Sequence, residues 1–169
     1  MTFAPKTWQV GEVVTAAMLN TEIRDQLNSM FGAWTTYTPA FGSTGTAPAV
    51  GNGTLTGQYM KIGRTVILSI TFTVGSTTTF GSGNLNFSLP VTGASASNGV
   101  ALNASASRTG TQNFVMGAIP LTNNATTTAT MWFASPSTTG DWDAWTTSTP
   151  WTLAAGDIVR VWGIYQSAT

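Results

Sequence analysis

The sequence contains no cysteine and no histidine among its 169 residues. The absence of cysteine excludes disulfides, zinc-thiolate sites and thiol nucleophiles. The absence of histidine removes the commonest general base and the commonest metal ligand. No G-x-S-x-G elbow is present, so serine hydrolase chemistry has no support either. The sequence therefore predicts no catalytic residue, no cofactor and no metal site.

Charged residues are scarce as well, with six basic and six acidic side chains making up 7% of the chain. Six scattered basic residues cannot neutralise a phosphate backbone, so we expect no nucleic acid as a partner. No run approaches 18 consecutive apolar residues, and no apolar run follows Lys6, so we expect neither membrane insertion nor a secretory signal. We therefore expect synthesis in a cytoplasm and delivery elsewhere by assembly or lysis.

What the chain has instead is hydroxyl groups and glycine: 32 threonines, 14 serines and 18 glycines. Threonine favours the pleated, half-buried surface of a strand, and glycine supplies turns. The clearest strand is 65–74, where apolar and hydroxyl residues alternate, and it is predicted to form a hairpin with 54–61 across Gly63. Further predicted strands cover 35–41, 84–89, 99–107, 111–119, 126–134 and 157–166. The pattern predicts a mainly β fold, an antiparallel β-sandwich resembling a jelly roll.

The first 33 residues differ in character and hold the one convincing helical pattern. Thr15 is a predicted N-cap, and Leu19, Ile23, Leu27 and Met30 recur at helical spacing. A lone helix of about 16 residues is marginal in water, so this stripe must pack on something. The chain's own β-domain and a neighbouring copy or larger assembly both remain open as that partner. We therefore divide the chain into an amino-terminal arm with one helix (1–33) and a β-sandwich domain (34–169).

The predicted final strand carries apolar side chains on both of its faces. Because a strand of a single sandwich normally turns one face to solvent, burial of both faces is expected. Either the chain's own loops or a neighbouring subunit then covers the second face. We favour the neighbouring subunit, and the candidate interface residues are Ile158, Trp162 and Ile164.

The best candidate binding site is the segment Asp141-Trp142-Asp143-Ala144-Trp145, followed by Trp151. Aromatic rings can stack on sugars while carboxylates accept hydrogen bonds from hydroxyls, so this segment is a candidate glycan contact. Alternatively, the rings anchor a loop to the sandwich or fill a subunit interface. Asp141 and Asp143 also resemble a glycosidase carboxylate pair, but adjacent loop acids are more often solvated than catalytic.

The amino-terminal segment resembles one that opens many small virion proteins of tailed bacteriophages, especially phages of actinobacteria. The shared pattern is W-x-x-G-x-x-V-T-A-A-x-L-N-T-x-I-R-D-x-L, which begins at Trp8 and reaches Leu27 here. The segments 37–39, 51–66 and 75–90 are similar to the β-rich part of the same proteins. About half of the chain is densely covered by this similarity.

The resemblance implies a component of the virion surface, of the tail-fibre, minor-tail, receptor-binding or capsid-decoration type. It also implies a homotrimer whose amino-terminal part attaches to capsid or tail proteins while the β-domain faces outward, toward a host cell-surface glycan in the receptor-binding case. Trp8, Leu19, Ile23 and Leu27 are the expected docking and trimerisation residues. Long fibres of this kind carry extended shafts that this chain lacks, which favours a compact knob or cap. The competing interpretation is a free carbohydrate-binding module or a glycan depolymerase.

Overall fold

The computed structural model describes residues 6–25, 27–28, 32, 34–95, 101–120, 126–135 and 141–169. A short helix, α1 (Ala16–Leu19), continues as a π-helix over Asn20–Asp25, and residues 27–28 are again helical. Within the described residues, eleven strands follow: β1 (Thr35–Tyr37), β2 (Phe41–Ser43), β3 (Thr54–Ile62), β4 (Thr65–Thr73), β5 (Leu85–Ser88), β6 (Ala101–Ser107), β7 (Phe114–Pro120), β8 (Thr128–Thr130), β9 (Trp132–Ala134), β10 (Trp142–Ala144) and β11 (Ile158–Gln166).

The strands form two antiparallel sheets of unequal size. The large sheet has eight strands in the order β1-β3-β4-β11-β6-β7-β9-β10, and the small sheet has three in the order β2-β5-β8. The predicted mainly β, antiparallel sandwich is therefore confirmed. β11 lies in the middle of the large sheet, paired with β4 on one side and β6 on the other.

The core lies between the two sheets and follows directly from the period-two patterning. Every second residue of β4, from Val66 to Phe72, is buried, and the threonines and Ser69 of the strand point the other way. Phe41 and Phe87 of the small sheet meet Phe72 of the large one at ring-centroid distances of 5.0 and 5.9 Å. Such aromatic contacts contribute beyond their buried area, so they fix how the sheets face each other.

The predicted β3–β4 hairpin is confirmed. The pairing runs without a break from Thr54 opposite Thr73 to Ile62 opposite Thr65. The turn uses Gly63 at φ +57°, a backbone conformation that residues with a Cβ rarely adopt. The hairpin therefore places the hydroxyl face of β4 next to that of β3.

Two segments that were predicted as single strands each divide between the sheets. The predicted strand 35–41 separates into β1 and β2, with Pro39 between them; proline lacks the N–H that a continuous ladder needs. The predicted strand 126–134 separates into β8 and β9 at the buried Met131. In both places the chain crosses from one sheet to the other, as corner strands do in sandwiches.

The predicted N-cap is confirmed, but the predicted continuous α-helix is wrong. The Thr15 hydroxyl accepts a hydrogen bond from the Met18 amide, and Ala16 begins the α-helix. After Leu19 the hydrogen bonding changes from i→i+4 to i→i+5. Met30, the fourth predicted stripe residue, lies outside the described residues.

Candidate functional site

The helix stripe, which comprises Leu19, Ile23 and Leu27, is uncovered. These side chains are 44%, 49% and 50% exposed, and no described residue of the helical segment is buried. An isolated helix of this length is not expected to persist in water on propensity alone. The described residues therefore leave this stripe about half exposed.

Near the stripe in sequence, the arm around Trp8 is organised by local contacts. The Lys6 ammonium pairs with the Glu12 carboxylate and lies 5.0 Å from the centre of the Trp8 ring. The hydrogen bond from Lys6, followed by one from the Gln9 amide, lowers the pKa of Glu12. Trp8 itself is partly exposed. These contacts give the arm a defined shape while leaving the indole available.

A second uncovered apolar surface is the outer face of the large sheet, by which we mean the face turned away from the small sheet. On β11 the side chains alternate: Val159, Val161 and Tyr165 point into the core, while Ile158, Trp162 and Ile164 lie on the outer face. Trp162 stands opposite Ser69, and Ile164 stands opposite Ile67. Ile164 is 55% exposed, whereas Ile158 and Trp162 are half-buried. The three candidate interface residues thus share one face.

A groove, here called the Trp162 groove, runs along this outer face. Its volume is about 600 Å³, and its apolar walls are Trp34, Ile67, Trp162 and Ile164. Ser69 and Asn103 contribute the polar groups of the lining. No charged side chain lines it. A groove of this composition fits aliphatic side chains better than a charged ligand.

Further apolar side chains occupy the outer face beyond β6. Phe114 and Met116 on β7 are about half exposed, and they stand opposite Ser107 and Ser105. Trp132 on β9 stands opposite Ala118 of β7. Exposed apolar side chains therefore also lie outside the groove, with the serines of β6 between them and β11.

One charge interrupts the outer face within the described strands, that of Arg160. It stands opposite Thr71 on β4 and Ser105 on β6, two residues before Trp162. Among the described residues, the Arg160 side chain has neither an ion-pair nor a hydrogen-bond partner. An exposed guanidinium set among neutral neighbours is available to an acidic partner.

The outer face of the small sheet has the opposite character. Its central row is Gly42, Asn86 and Thr130, and Ser88 stands opposite Thr128 beside it. These groups can hydrogen-bond to water. The two outer faces of the sandwich therefore differ: the small sheet presents hydroxyl and amide groups, while the large sheet adds exposed apolar side chains on β11 and β7 to the hydroxyl groups of β3, β4 and β6.

The predicted glycan platform does not form, because its three indole rings lie in different environments. Trp145 is 0% exposed and stacks on Phe41 with 5.7 Å between ring centroids, so it is a core residue and cannot contact a glycan. Trp151 lies beneath the Arg108 guanidinium at 5.1 Å. Only Trp142, on the edge strand β10, is substantially exposed, at 50%. The alternative considered above, a ring that anchors the segment to the sandwich, describes Trp145.

Backbone hydrogen bonds to distant residues hold Trp145 in its inward position. Its backbone amide donates to Met131 and its carbonyl accepts from Leu85, so the chain here bridges both parts of the sandwich. Asp141 is exposed and Asp143 half-buried on either side of Trp142. The carboxylates therefore flank a single exposed ring instead of a stacking platform.

Asp157 has a role that the sequence did not indicate. It is 1% exposed, and its carboxylate accepts hydrogen bonds from the amides of Thr109 (2.9 Å) and Ala154 (3.0 Å) and from the Trp151 indole (3.2 Å). Because a buried carboxylate with three donors is fully engaged, Asp157 joins two loops and is not poised for chemistry. Its position after Gly156 gives no hint of this network.

Within the described residues, no group of three or more acidic side chains is arranged to hold a metal ion. None of the described helices has the length and apolar character needed to cross a membrane. In comparisons with known proteins, no family model, no curated protein and no solved structure matches this chain. The candidate site is therefore defined by its own geometry: the helix stripe, the Trp162 groove and the apolar outer face around it.

Proposed function

We propose that this chain is a non-enzymatic structural protein of the virion surface of a tailed bacteriophage. In this proposal it acts as a homotrimer, in a tail-fibre, receptor-binding or capsid-decoration role. The observation that carries the proposal is the pair of apolar surfaces, helix stripe and outer sheet face, that the single chain leaves uncovered. Monomeric proteins rarely expose contiguous apolar surface of this kind, so both surfaces are expected to be covered by other subunits.

The arrangement of the uncovered surfaces supports assembly over ligand binding. The Trp162 groove is shallow and lined by aliphatic and aromatic side chains, with no charged group in its lining. Interface cores are depleted in charge and enriched in aromatic residues and methionine, as the outer face is. The scarcity of charge in the whole chain fits the same purpose, because a surface that other subunits cover needs few charges for solubility.

The resemblance of the segment from Trp8 to Leu27 to the opening of small virion proteins supports the choice of partner. In the proposal this segment contacts capsid or tail proteins or sister copies, and the sandwich faces outward.

The test replaces the helix stripe in the full chain: Leu19→Ser, Ile23→Ser and Leu27→Ser together. The matched control is Val10→Ser with Val13→Ser, since both valines are exposed but lie outside the stripe. We expect the unmodified chain and the control to sediment as trimers at micromolar concentration and to enter virions. The stripe variant should sediment as a monomer and be missing from purified particles. A stripe variant that still forms trimers and enters virions would refute the proposal.

The exposed ring of Trp142 supports a second candidate role, contact with a host cell-surface glycan. Asp141 beside it is also exposed and could accept hydrogen bonds from sugar hydroxyls. The test is a glycan array with the unmodified chain and Trp142→Ala, combined with an assay for released oligosaccharide. Binding that Trp142→Ala abolishes would support a carbohydrate-binding role, and release of oligosaccharide would indicate a depolymerase. No binding and no release would exclude this candidate.

A further inference from the structure

Two uncovered surfaces of this chain complement each other in shape and polarity. The helix stripe presents three aliphatic side chains, and the Trp162 groove presents an apolar lining without charge. We propose that the groove of one copy receives the helix stripe of a neighbouring copy, with Glu22 of that helix pairing with Arg160 beside the groove. This inference rests on the proposed homo-oligomeric function and names the contact that builds the oligomer.

The length of the helix stripe matches the span of the Trp162 groove across the sheet. From Leu19 to Leu27 the stripe spans nine residues, and the eight steps between them give a helical length of about 12 Å. The groove crosses β4, β11 and β6, and three neighbouring strands span about 10 Å. Three aliphatic side chains on a helix can therefore enter the groove together, with Ile67, Trp162 and Ile164 as the apolar surface they contact.

The charges beside the stripe and beside the groove are of opposite sign. Glu22 directly precedes Ile23, so it flanks the stripe. Among the described residues, its carboxylate has no ion-pair or hydrogen-bond partner. By contrast, the other charges of the helix, Arg24 and Asp25, pair with each other at 2.8 Å. Arg160 lies two residues from Trp162 on the same face of β11, about 7 Å along the strand. A helix lying in the groove thus brings Glu22 to Arg160. Within the described residues, Glu22 is the one acidic side chain of the helix without a partner, and Arg160 is the one charged side chain of the outer face.

The occupant of the groove is a helix from a second copy. In the single chain the stripe stays half exposed, and the groove stays open beside it. The chain's own Trp34 already forms one wall of the groove, at the start of the sandwich domain. A helix is about 10 Å wide, whereas the eight-stranded sheet spans roughly 34 Å, so its own helix alone would leave most of the outer face uncovered. Exchange between copies covers the stripes and brings the remaining outer faces together.

Charge reversal tests the pairing. Glu22→Lys and Arg160→Glu each place like charges at the contact, and each is expected to raise the dissociation constant of self-association about tenfold or more, measured by sedimentation equilibrium. The double variant restores opposite charges and should associate within about threefold of the unmodified chain. Lys61→Glu changes the net charge as much as Arg160→Glu does, but Lys61 stands opposite Val66, on the face of the large sheet turned away from the groove, so it should leave association unchanged.

A mixing experiment separates exchange between copies from docking within one chain. When Glu22→Lys and Arg160→Glu proteins are mixed in equal amounts, the lysine of one meets the glutamate of the other, and the reciprocal contact is the native one. In a mixed trimer two of the three contacts are then matched. We expect the mixture to associate more tightly than either variant alone.

The outcomes distinguish this inference from the proposed function. Rescue in the double variant without rescue in the mixture would mean that each helix lies on its own sheet, which overturns the exchange. An unmodified trimer that is insensitive to all the reversals would overturn the Glu22–Arg160 contact while leaving the proposed function intact. An unmodified chain that sediments as a monomer would overturn both.

Discussion

The position of Trp145 makes the sharpest prediction about stability. The ring is fully buried, stacked on Phe41 and in contact with Phe87 at 5.4 Å between centroids. Trp142, three residues earlier, is half exposed on an edge strand. Replacing each by alanine removes the same side chain from the same segment, so the pair of variants compares core with surface directly.

The structure sets the expected size of the difference. Removing a buried tryptophan costs about 3–5 kcal/mol in lost transfer free energy and residual cavity, whereas a surface replacement costs about 0.5 kcal/mol or less. With a urea m-value of about 2 kcal/mol/M, Trp145→Ala should lower the unfolding midpoint by about 2 M and Trp142→Ala by about 0.25 M. Both variants are measured by urea denaturation at the same protein concentration.

A third variant separates ring packing from hydrogen bonding. The Trp145 indole nitrogen is buried without a hydrogen-bond partner among the described residues. Trp145→Phe keeps an aromatic ring beside Phe41 and removes that unpaired donor, so it should cost about 1–2 kcal/mol, less than alanine does. Equal midpoints for Trp145→Ala and Trp142→Ala would refute the core placement and reopen the stacking platform.

Three further predictions concern single contacts. Thr15→Ala removes the N-cap and should lower helical circular dichroism, at a cost of about 1 kcal/mol of helix stability, while Thr15→Ser preserves the signal. Asp157→Asn places an amide donor where three donors converge. It should therefore lower the free energy of unfolding by about 2–3 kcal/mol, measured by calorimetry. Burial raises the pKa of Tyr165 to about 12. The folded state therefore favours the neutral phenol, so stability is retained below the ordinary tyrosine pKa of about 10 and lost as the pH rises toward 12. Tyr165→Phe should flatten this alkaline decline in urea midpoint, although it loses the hydrogen bond to Val91 at all lower pH values.

The elements that the sequence predicts well are those whose side chains alternate without interruption. β4 and its hairpin with β3 follow from period-two patterning and from Gly63, which are local properties. The crossings at Pro39 and Met131 were missed because apolar patterning continues through them while the strand changes sheets. Which sheet a strand joins depends on pairing with distant residues, and a single segment does not encode it.

The same distinction between local patterns and contacts with distant residues holds for the candidate site. The apolar stripe of the helix and the two-faced character of β11 could be predicted, since both are patterns within one element. Whether the chain's own sheet covers the stripe could not be predicted, because that depends on contacts between elements. The separation of Trp142 from Trp145 could not, because it depends on the bridging contacts of the Trp145 backbone with Met131 and Leu85. Arg160 also escaped the sequence analysis. Its importance arises only when three strands place it beside the Trp162 groove.

The contrast between the two outer faces bears on how so weakly charged a protein remains in solution. Twelve charged residues and a net charge of zero give little electrostatic protection against association. Hydration must therefore come from uncharged polar groups, which the small sheet supplies through Asn86, Thr128 and Thr130 and the large sheet through the threonines of β3 and β4. On the large sheet, Trp162 and Ile164 point outward, and Arg160 is the one charged side chain of that face within the described strands. A free subunit would therefore present a surface prone to association. Limited self-association needs that surface to be closed by a fixed number of copies, because an open arrangement of the same contacts would propagate into filaments. An assembly with closed symmetry, in which the large sheets face inward and the small sheets face the solvent, meets both requirements.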